Sequence, residues 1–234
     1  MKKGELKTVR LKWKDIEMNL IIRHGSLSDK GGIEEIFIRN SYHTMLKNIK
    51  GKIVVDAGAY IGDSTVILAK LGAKKIYAYE PHPELHKLLI ANLKENKVGN
   101  CIAINAGLSN TAARATIVGR ANTSFGSGNG IFIDKEKDIV KIKIVSANKE
   151  FKKIIAEDGK IDLCKLDIEG FELNVVLSLE KSVMDNIERF IIECHSKIIK
   201  EEVTKCLNMN GFTIKQEIQS ARNKRLFLME AVKI

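Results

Sequence analysis

The sequence predicts an α/β domain in which a mostly parallel sheet is covered by helices on both faces. From Gly51 onwards, short runs of apolar and β-branched residues alternate with segments that have the periodicity of amphipathic helices. Each run is continuously apolar, which is typical of parallel strands that are buried on both faces. Ligands of such sheets bind beyond the carboxyl ends of the strands, so the residues that follow each run are the informative ones.

The same alternation predicts each element in turn. The parallel strands are predicted at 52–58, 74–80, 101–107, 161–167 and 189–194. The helices are predicted at 63–71, 83–95, 147–156, 171–179 and 197–209. Further strands are predicted at 113–118 and 139–145, around a loop rich in Gly, Ser and Asn, and at 211–217 and 225–233. The last two strands would close the sheet as an antiparallel pair.

Residues 1–50 have a mixed pattern and are predicted to form an N-terminal cap or extension before the main domain, residues 51–234. Within this extension, residues 17–23 are predicted as a strand and residues 33–49 as a helix, because apolar positions recur at helical spacing.

The composition, with 44% hydrophobic and 29% charged residues, is that of an ordinary soluble protein. The chain has no apolar run of the ~18 residues that a membrane span needs, and its charged N-terminus lacks the apolar core of a signal peptide. A cytoplasmic location is therefore expected. The formal charge of +10 would favour an anionic partner such as nucleic acid, with a lysine-rich coding bias as the alternative explanation. Nothing in the sequence predicts the oligomeric state.

A glycine-containing turn, DAGAYIG at 56–62, follows the first parallel strand. Its two glycines allow close approach of a ligand to the backbone, and the following helix offers free N–H groups at its start. The second strand ends in Glu80, whose carboxylate could accept both hydroxyls of a ribose. Together, these features predict a nucleoside site.

The kind of nucleoside follows from two residues of this turn. A dinucleotide site uses a GxGxxG turn to bring a pyrophosphate onto the helix N-terminus, whereas here Tyr60 replaces the middle glycine. A carboxylate at the strand tip, Asp56, would repel a pyrophosphate and would suit a ligand with positive charge, such as a sulfonium. We therefore predict S-adenosylmethionine as the ligand. The alternative role of Asp56 is that of a helix cap or turn residue.

Titratable residues also follow the last two parallel strands. Asp167 ends the strand at 161–167, Glu169 and Glu172 follow it, and Glu193 and His195 lie at the end of the next strand. Glu193 and His195 point the same way because side chains alternate along an extended segment. A histidine can take a proton from a hydroxyl near neutral pH. The acids could instead cap the following helix and favour its first turn.

The sequence resembles the FkbM family of methyltransferases over roughly residues 51–196. The segments that carry the resemblance are VVDAGAYIGDST, YAYEPHPELHKLLIANLKEN, LCKLDIEGFELNVVLSL and FIIECH. The resemblance implies a Rossmann-like class I methyltransferase fold with a seven-stranded sheet. It also implies O-methylation of hydroxyls on sugars or small natural products, with S-adenosylmethionine as the methyl donor.

The resemblance also implies residue roles. The turn would hold the methionine part of the donor, Glu80 the ribose, and Ala106 or its neighbours the adenine. The residues expected at the donor are Asp56, Ala57, Gly58, Ala59, Tyr60, Gly62, Asp63, Ser64, Glu80, Pro81 and Ala106. The residues expected to face the acceptor are Asp167, Glu169, Glu193 and His195.

We expect in-line methyl transfer in which His195 acts as the base and Glu193 or Glu169 orients it or the acceptor. In a variant of this mechanism, Asp167, Glu193 and His195 coordinate a divalent cation such as magnesium or manganese. The extension 1–50 is expected to shape acceptor choice, and the loop 119–130 could fold over the acceptor as a lid.

Two other functions stay open at the level of the sequence. An RNA (tRNA) methyltransferase is suggested by the charge of +10 and by the segment ANLKENKV. Against it, the chain lacks the Asn/Asp-Pro-Pro-aromatic motif of enzymes that methylate base amines. The other alternative is a non-catalytic nucleoside-binding module.

Overall fold

The structure is a computed structural model, and it describes residues 5–34, 44–118, 139–220 and 223–234. At the centre of the described part lies a seven-stranded sheet. From one edge to the other its strands are β11 (Phe212–Gln219), β12 (Phe227–Lys233), β10 (Arg189–Cys194), β9 (Leu163–Leu166), β3 (Ile53–Ala57), β4 (Lys75–Tyr79) and β5 (Cys101–Ile104). The strands from β10 to β5 are parallel, and β12 pairs antiparallel with both β10 and β11. The predicted fold class is confirmed, including the antiparallel pair at the edge.

Helices cover both faces of this sheet. They are α1 (Leu27–Ile33), α2 (Asp63–Lys70), α3 (Pro83–Glu95), α4 (Ala147–Asp158), α5 (Glu172–Ser178), α6 (Lys181–Met184) and α7 (Lys197–Met209). Several helices begin at a capping residue. Ser146 and Ser196 accept hydrogen bonds from backbone amides of the first turns of α4 and α7. At α3, His82 does the same and Pro83 follows it.

The core has two halves, one on each face of the sheet. The helices α4 to α7 pack over one half, and α2, α3 and the N-terminal hairpin pack over the other. Strand β3 contributes to both, because Val55 points to the first half and Val54 to the second. All five residues of β3 are buried, and four of them are apolar, as burial on both faces requires; the exception is Asp56, near the carboxyl end of the strand.

The N-terminal extension contains a β-hairpin, β1 (Leu6–Trp13) with β2 (Ile16–Arg23). Strand β2 was predicted, whereas β1 was not. The hairpin is tied to the rest of the fold by Asn92 of α3, whose side chain bonds the backbone of Ile21 and the carbonyl of Ile61. Trp13 is buried in the same half of the core.

The predicted helix at 33–49 is wrong over its last residues. Ile33 ends α1, and residues 35–43 lie outside the described part of the chain. Residues 44–49 form turns and bends, and Asn48 has a left-handed φ of 56°, which ends any helix there. The apolar spacing reflects burial of Met45, Leu46 and Ile49 in the core beside the sheet rather than a helical face.

The predicted strand at 101–107 is divided in the structure. After β5, the strand β6 (Gly107–Ser109) joins a second, three-stranded sheet with β8 (Ile139–Ser146) and β7 (Ala113–Val118). The loop 119–130, predicted as a lid, lies outside the described residues. Among the helices that the structure describes, none combines the length and the apolar character that crossing a bilayer requires.

Candidate active site

The turn that joins β3 to α2, residues 58–62, is called the donor turn below. The backbone amides of Gly58 and Ala59 both donate to the carbonyl of Tyr79 in β4, at 3.0 Å. Gly58 has a φ of 80°, and a Cβ atom placed on it would lie 1.7 Å from the carbonyl oxygen of Asp167. Only glycine fits there, because the donor turn passes directly against the tip of β9.

Asp56 is fully buried beneath this turn. Its Oδ2 accepts hydrogen bonds from the hydroxyls of Ser64, at 2.9 Å, and Thr65, at 2.7 Å. Its Oδ1 lies 3.3 Å from the Nζ of Lys165, which is itself buried. Burial lowers the pKa of Lys165, but Asp56 and Asp167 outweigh it and raise that pKa above its ordinary value.

This environment changes the role expected of Asp56. The ammonium of Lys165 compensates its charge, and its other oxygen holds the start of α2. Asp56 is therefore not a free carboxylate that would attract a cationic ligand. Its place in the donor site stays a prediction, with bracing of the donor turn as its role.

Glu80, at the end of β4, lies against the donor turn. Its Oε2 accepts from the amide of Tyr60 at 3.0 Å, and its Oε1 accepts from the amide of His82 at 2.8 Å. Burial raises the pKa of Glu80 to about 8, more than these two hydrogen bonds lower it. The side chain of Asn105 donates to the carbonyls of Glu80, at 2.9 Å, and Pro81, at 3.0 Å, and so joins the tips of β4 and β5.

The remaining predicted donor residues lie at the same edge of the sheet. Ala57 and Ala59 are buried, and so is Ala106, which follows β5. Asp63 begins α2, and its Oδ1 accepts from the amide of Ser64 at 2.8 Å. Burial raises the pKa of Asp63 to about 6. The carboxyl ends of β3, β4 and β5 thus bring the predicted donor residues together.

His195, just after β10, lies between two glutamates. Its Nδ1 is 2.9 Å from the Oε1 of Glu172, and its Nε2 is 3.2 Å from the Oε2 of Glu169. Glu172 is fully buried, and the same Oε1 accepts from the amides of Ile168 and Gly170, at 3.1 Å each. Burial lowers the pKa of His195, but Glu169 and Glu172 together raise it to about 11. At neutral pH both ring nitrogens are therefore protonated in this arrangement.

The three residues predicted as possible metal ligands are close together. One ligand atom from each of Asp167, Glu193 and His195 lies within 4.8 Å of the other two. A set of two carboxylates and one imidazole suits magnesium or manganese. Glu172 also fits this interpretation, since a histidine that binds a metal usually donates its second ring N–H to a carboxylate.

Two groups of residues at the site were missed by the sequence argument. Lys165 is a cation inside an otherwise apolar strand, and this was a signal that it is paired in the core. Arg23 and Asp29 come from the N-terminal extension and contact Tyr60 of the donor turn. They carry no motif, and only the three-dimensional packing brings them there.

Comparison with known proteins gives the family. Residues 56–222 match the methyltransferase FkbM domain, which is more than half of the chain. This chain belongs to the FkbM methyltransferase family. The match begins at Asp56 and includes the donor turn, Glu80, and the tips of β9 and β10.

One curated methyltransferase and two solved structures are similar to this FkbM methyltransferase. It is 26% identical to methyltransferase sdnD of Sordaria araneosa in an alignment 217 positions long, which covers 79% of this chain and 82% of the relative. Its fold resembles that of the FkbM methyltransferase from Methylobacillus flagellatus, with a TM-score of 0.53, 15% identity, and coverage of 77% of this chain and 43% of that one. It also resembles SMU.1697c from Streptococcus mutans in complex with SAH, with a TM-score of 0.51 and 17% identity. This similarity covers 84% of this chain and 97% of that one.

These findings confirm three of the predictions made from the sequence. They are the FkbM resemblance, the Rossmann-like fold, and S-adenosylmethionine as the cofactor of a methyltransferase. The roles of single residues stay predictions.

Proposed function

We propose that this FkbM methyltransferase transfers a methyl group from S-adenosylmethionine to a hydroxyl of a sugar or other small molecule. The observation that carries the proposal is the contact between the donor turn and the tip of β9, where Gly58 packs against Asp167. The residues proposed for the donor lie on one side of this contact. The titratable residues proposed for the acceptor lie on the other, so that the two reactants would meet between them.

The donor residues fit the group that they are proposed to bind. The Glu80 carboxylate at the end of β4 is fixed by two amides and would accept the ribose hydroxyls. Asp63, which begins α2 at the end of the donor turn, would face the donor's ammonium, since Asp56 is neutralised by Lys165. The small residue Ala106, which follows β5 at the same edge of the sheet, would border the flat adenine.

The reaction needs little covalent chemistry from the protein. The acceptor oxygen attacks the methyl carbon as the carbon–sulfur bond breaks, the electron pair of that bond stays on sulfur, and S-adenosylhomocysteine leaves. Holding both reactants in line is the main contribution expected of the enzyme. The proton of the hydroxyl must go to a base.

We assign the base to the pair of Glu169 and His195 rather than to His195 alone. With both ring nitrogens protonated, His195 accepts no further proton. Glu169 is 3.2 Å from its Nε2, and the side chain of Glu169 is 40% exposed, so its carboxylate can reach a bound hydroxyl. His195 would then orient Glu169 and stabilise negative charge that develops on the acceptor oxygen.

A divalent cation is a second way in which the same residues would act. Binding of a cation would displace the proton from one ring nitrogen of His195. If His195 then coordinates the cation together with Asp167 and Glu193, the cation would lower the pKa of the acceptor hydroxyl and fix its position. The spacing of the three ligand atoms supports this variant. Activity that survives exhaustive chelation and is not raised by added magnesium or manganese would exclude it.

The experiment that tests the proposal measures transfer of a labelled methyl group from S-adenosylmethionine to three classes of acceptor. These are mono- and oligosaccharides, small hydroxylated metabolites, and total RNA. Label in an alkali-stable methyl ether of one of the first two classes supports the proposal. Label only in RNA, with binding that falls steeply as salt is added, would establish the RNA methyltransferase instead. Donor binding without transfer to any class would favour the non-catalytic module.

A further inference from the structure

A buried polar cluster joins the N-terminal extension to the donor turn. The hydroxyl of Tyr60 donates to Oδ1 of Asp29 at 2.6 Å and accepts from Nη2 of Arg23 at 2.7 Å. The backbone amide and the Nε of Arg23 donate to Oδ2 of Asp29 at 2.7 and 3.1 Å, and Nη2 of Arg23 also contacts Oδ1. Asp29 is fully buried and Arg23 nearly so. Both oxygens of Asp29 therefore have two donors each.

The geometry of this ion pair is of the kind that is stable in a protein interior. A buried pair is favourable only when further hydrogen bonds satisfy its remaining atoms, and here they do. The two charges compensate each other, so the cluster brings no net charge to the donor. The cluster contacts the donor turn through the Tyr60 hydroxyl.

Tyr60 is held in a backbone conformation that it would not adopt by itself. Its φ is 52°, a left-handed value that is uncommon for a bulky residue and persists only where the surroundings impose it. In this conformation the amide of Tyr60 points at Glu80 and donates to it. The ring is fixed at its other end by Asp29 and Arg23.

We infer that Arg23 and Asp29 are positioning residues for the methyl donor, which act through Tyr60 on the donor turn and on Glu80. Both lie outside the family match at 56–222, so the N-terminal extension supplies part of the donor site. This inference rests on the proposed donor site.

The test compares two tyrosine-to-phenylalanine variants that each remove one hydrogen bond to an aspartate. Tyr60→Phe removes the bond to Asp29 together with the one that the hydroxyl accepts from Arg23. Tyr77→Phe is the matched control, because the Tyr77 hydroxyl donates to Asp158 at 2.7 Å from the opposite half of the core. Calorimetric titration with S-adenosylmethionine should give an affinity about tenfold weaker for Tyr60→Phe, or ~1.4 kcal/mol. For Tyr77→Phe the affinity should stay within about twofold of that of the unchanged protein.

Hydrogen exchange of the free protein provides a readout that needs no ligand. The peptide 57–62 contains the Tyr60 amide, and its exchange should become faster in Tyr60→Phe and stay unchanged in Tyr77→Phe. Equal donor affinity in the two variants, or unchanged exchange of 57–62 in Tyr60→Phe, would overturn the inference. If the unchanged protein bound no donor, the proposed function would fail, and the exchange result would still decide whether the cluster holds the turn.

Discussion

Replacing Gly58 with alanine tests the contact on which the arrangement of the two sites depends. The new Cβ would lie 1.7 Å from the carbonyl oxygen of Asp167, whereas ordinary contact begins at 3.4 Å. The two strand tips would therefore have to separate by about 1.7 Å (3.4 less 1.7). A forced overlap of this kind costs ~1–3 kcal/mol. The left-handed φ of 80° adds ~1–2 kcal/mol for a residue with a side chain. We expect a total loss of ~2–5 kcal/mol.

Gly51→Ala is the matched control for this substitution. Gly51 has a φ of 76°, and nothing lies within 4 Å of its added Cβ, so only the backbone cost of ~1–2 kcal/mol applies. Urea unfolding gives both free energies, and calorimetry gives both affinities for S-adenosylmethionine. Gly58→Ala should be the less stable variant and should bind the donor at least about tenfold more weakly. Equal stability and equal donor affinity in the two variants would refute the close approach of the donor turn to β9.

Three further predictions follow from the charges of the site. The affinity for 5′-methylthioadenosine, which has no group that titrates near neutral pH, should fall as the pH drops from 9 through about 8. The ribose hydroxyls donate to the ionised Glu80 carboxylate, and this carboxylate becomes protonated as the pH falls through its raised pKa. In a Glu80→Gln variant the affinity should therefore not change over this pH range. His195→Ala should lower turnover by roughly 10²–10³-fold without changing donor affinity, because it removes a donor to the negative charge that develops on the acceptor oxygen, and equal turnover would remove His195 from the mechanism. Lys165→Met should cost ~3–5 kcal/mol by leaving Asp56 buried and unpaired, and adding Asp56→Asn should restore part of that loss in urea unfolding.

Elements with strong local signals were predictable from the sequence. The bounds of α3 and α7 agree with the prediction because a capping residue precedes each helix and an apolar stripe runs along it. The parallel strands were predictable because burial on both faces leaves mostly apolar residues in them, with Asp56 of β3 and Lys165 of β9 as buried exceptions. Strand β1 was missed because most of its residues are partly or fully exposed and its lysines and arginine obscure the alternation.

The candidate site was predictable only in its outline. The residues after the strands could be placed at one edge because parallel strands share that edge. The charge and protonation of these residues depend on contacts between distant segments, which no local pattern encodes. Asp56 is neutralised by Lys165 of another strand, and His195 is held protonated by Glu169 and Glu172 of another turn. The roles of these residues therefore had to be revised once their partners were known.

The most direct test of the account is calorimetric titration of the purified protein with S-adenosylmethionine, beside the variant Glu80→Ala. We expect a dissociation constant of roughly micromolar size for the unchanged protein, and at least about tenfold weaker binding for the variant. Binding of equal strength by the two proteins would contradict the placement of the donor at the tips of β3 and β4. Absence of any binding by the unchanged protein would contradict the central claim that this chain binds the methyl donor.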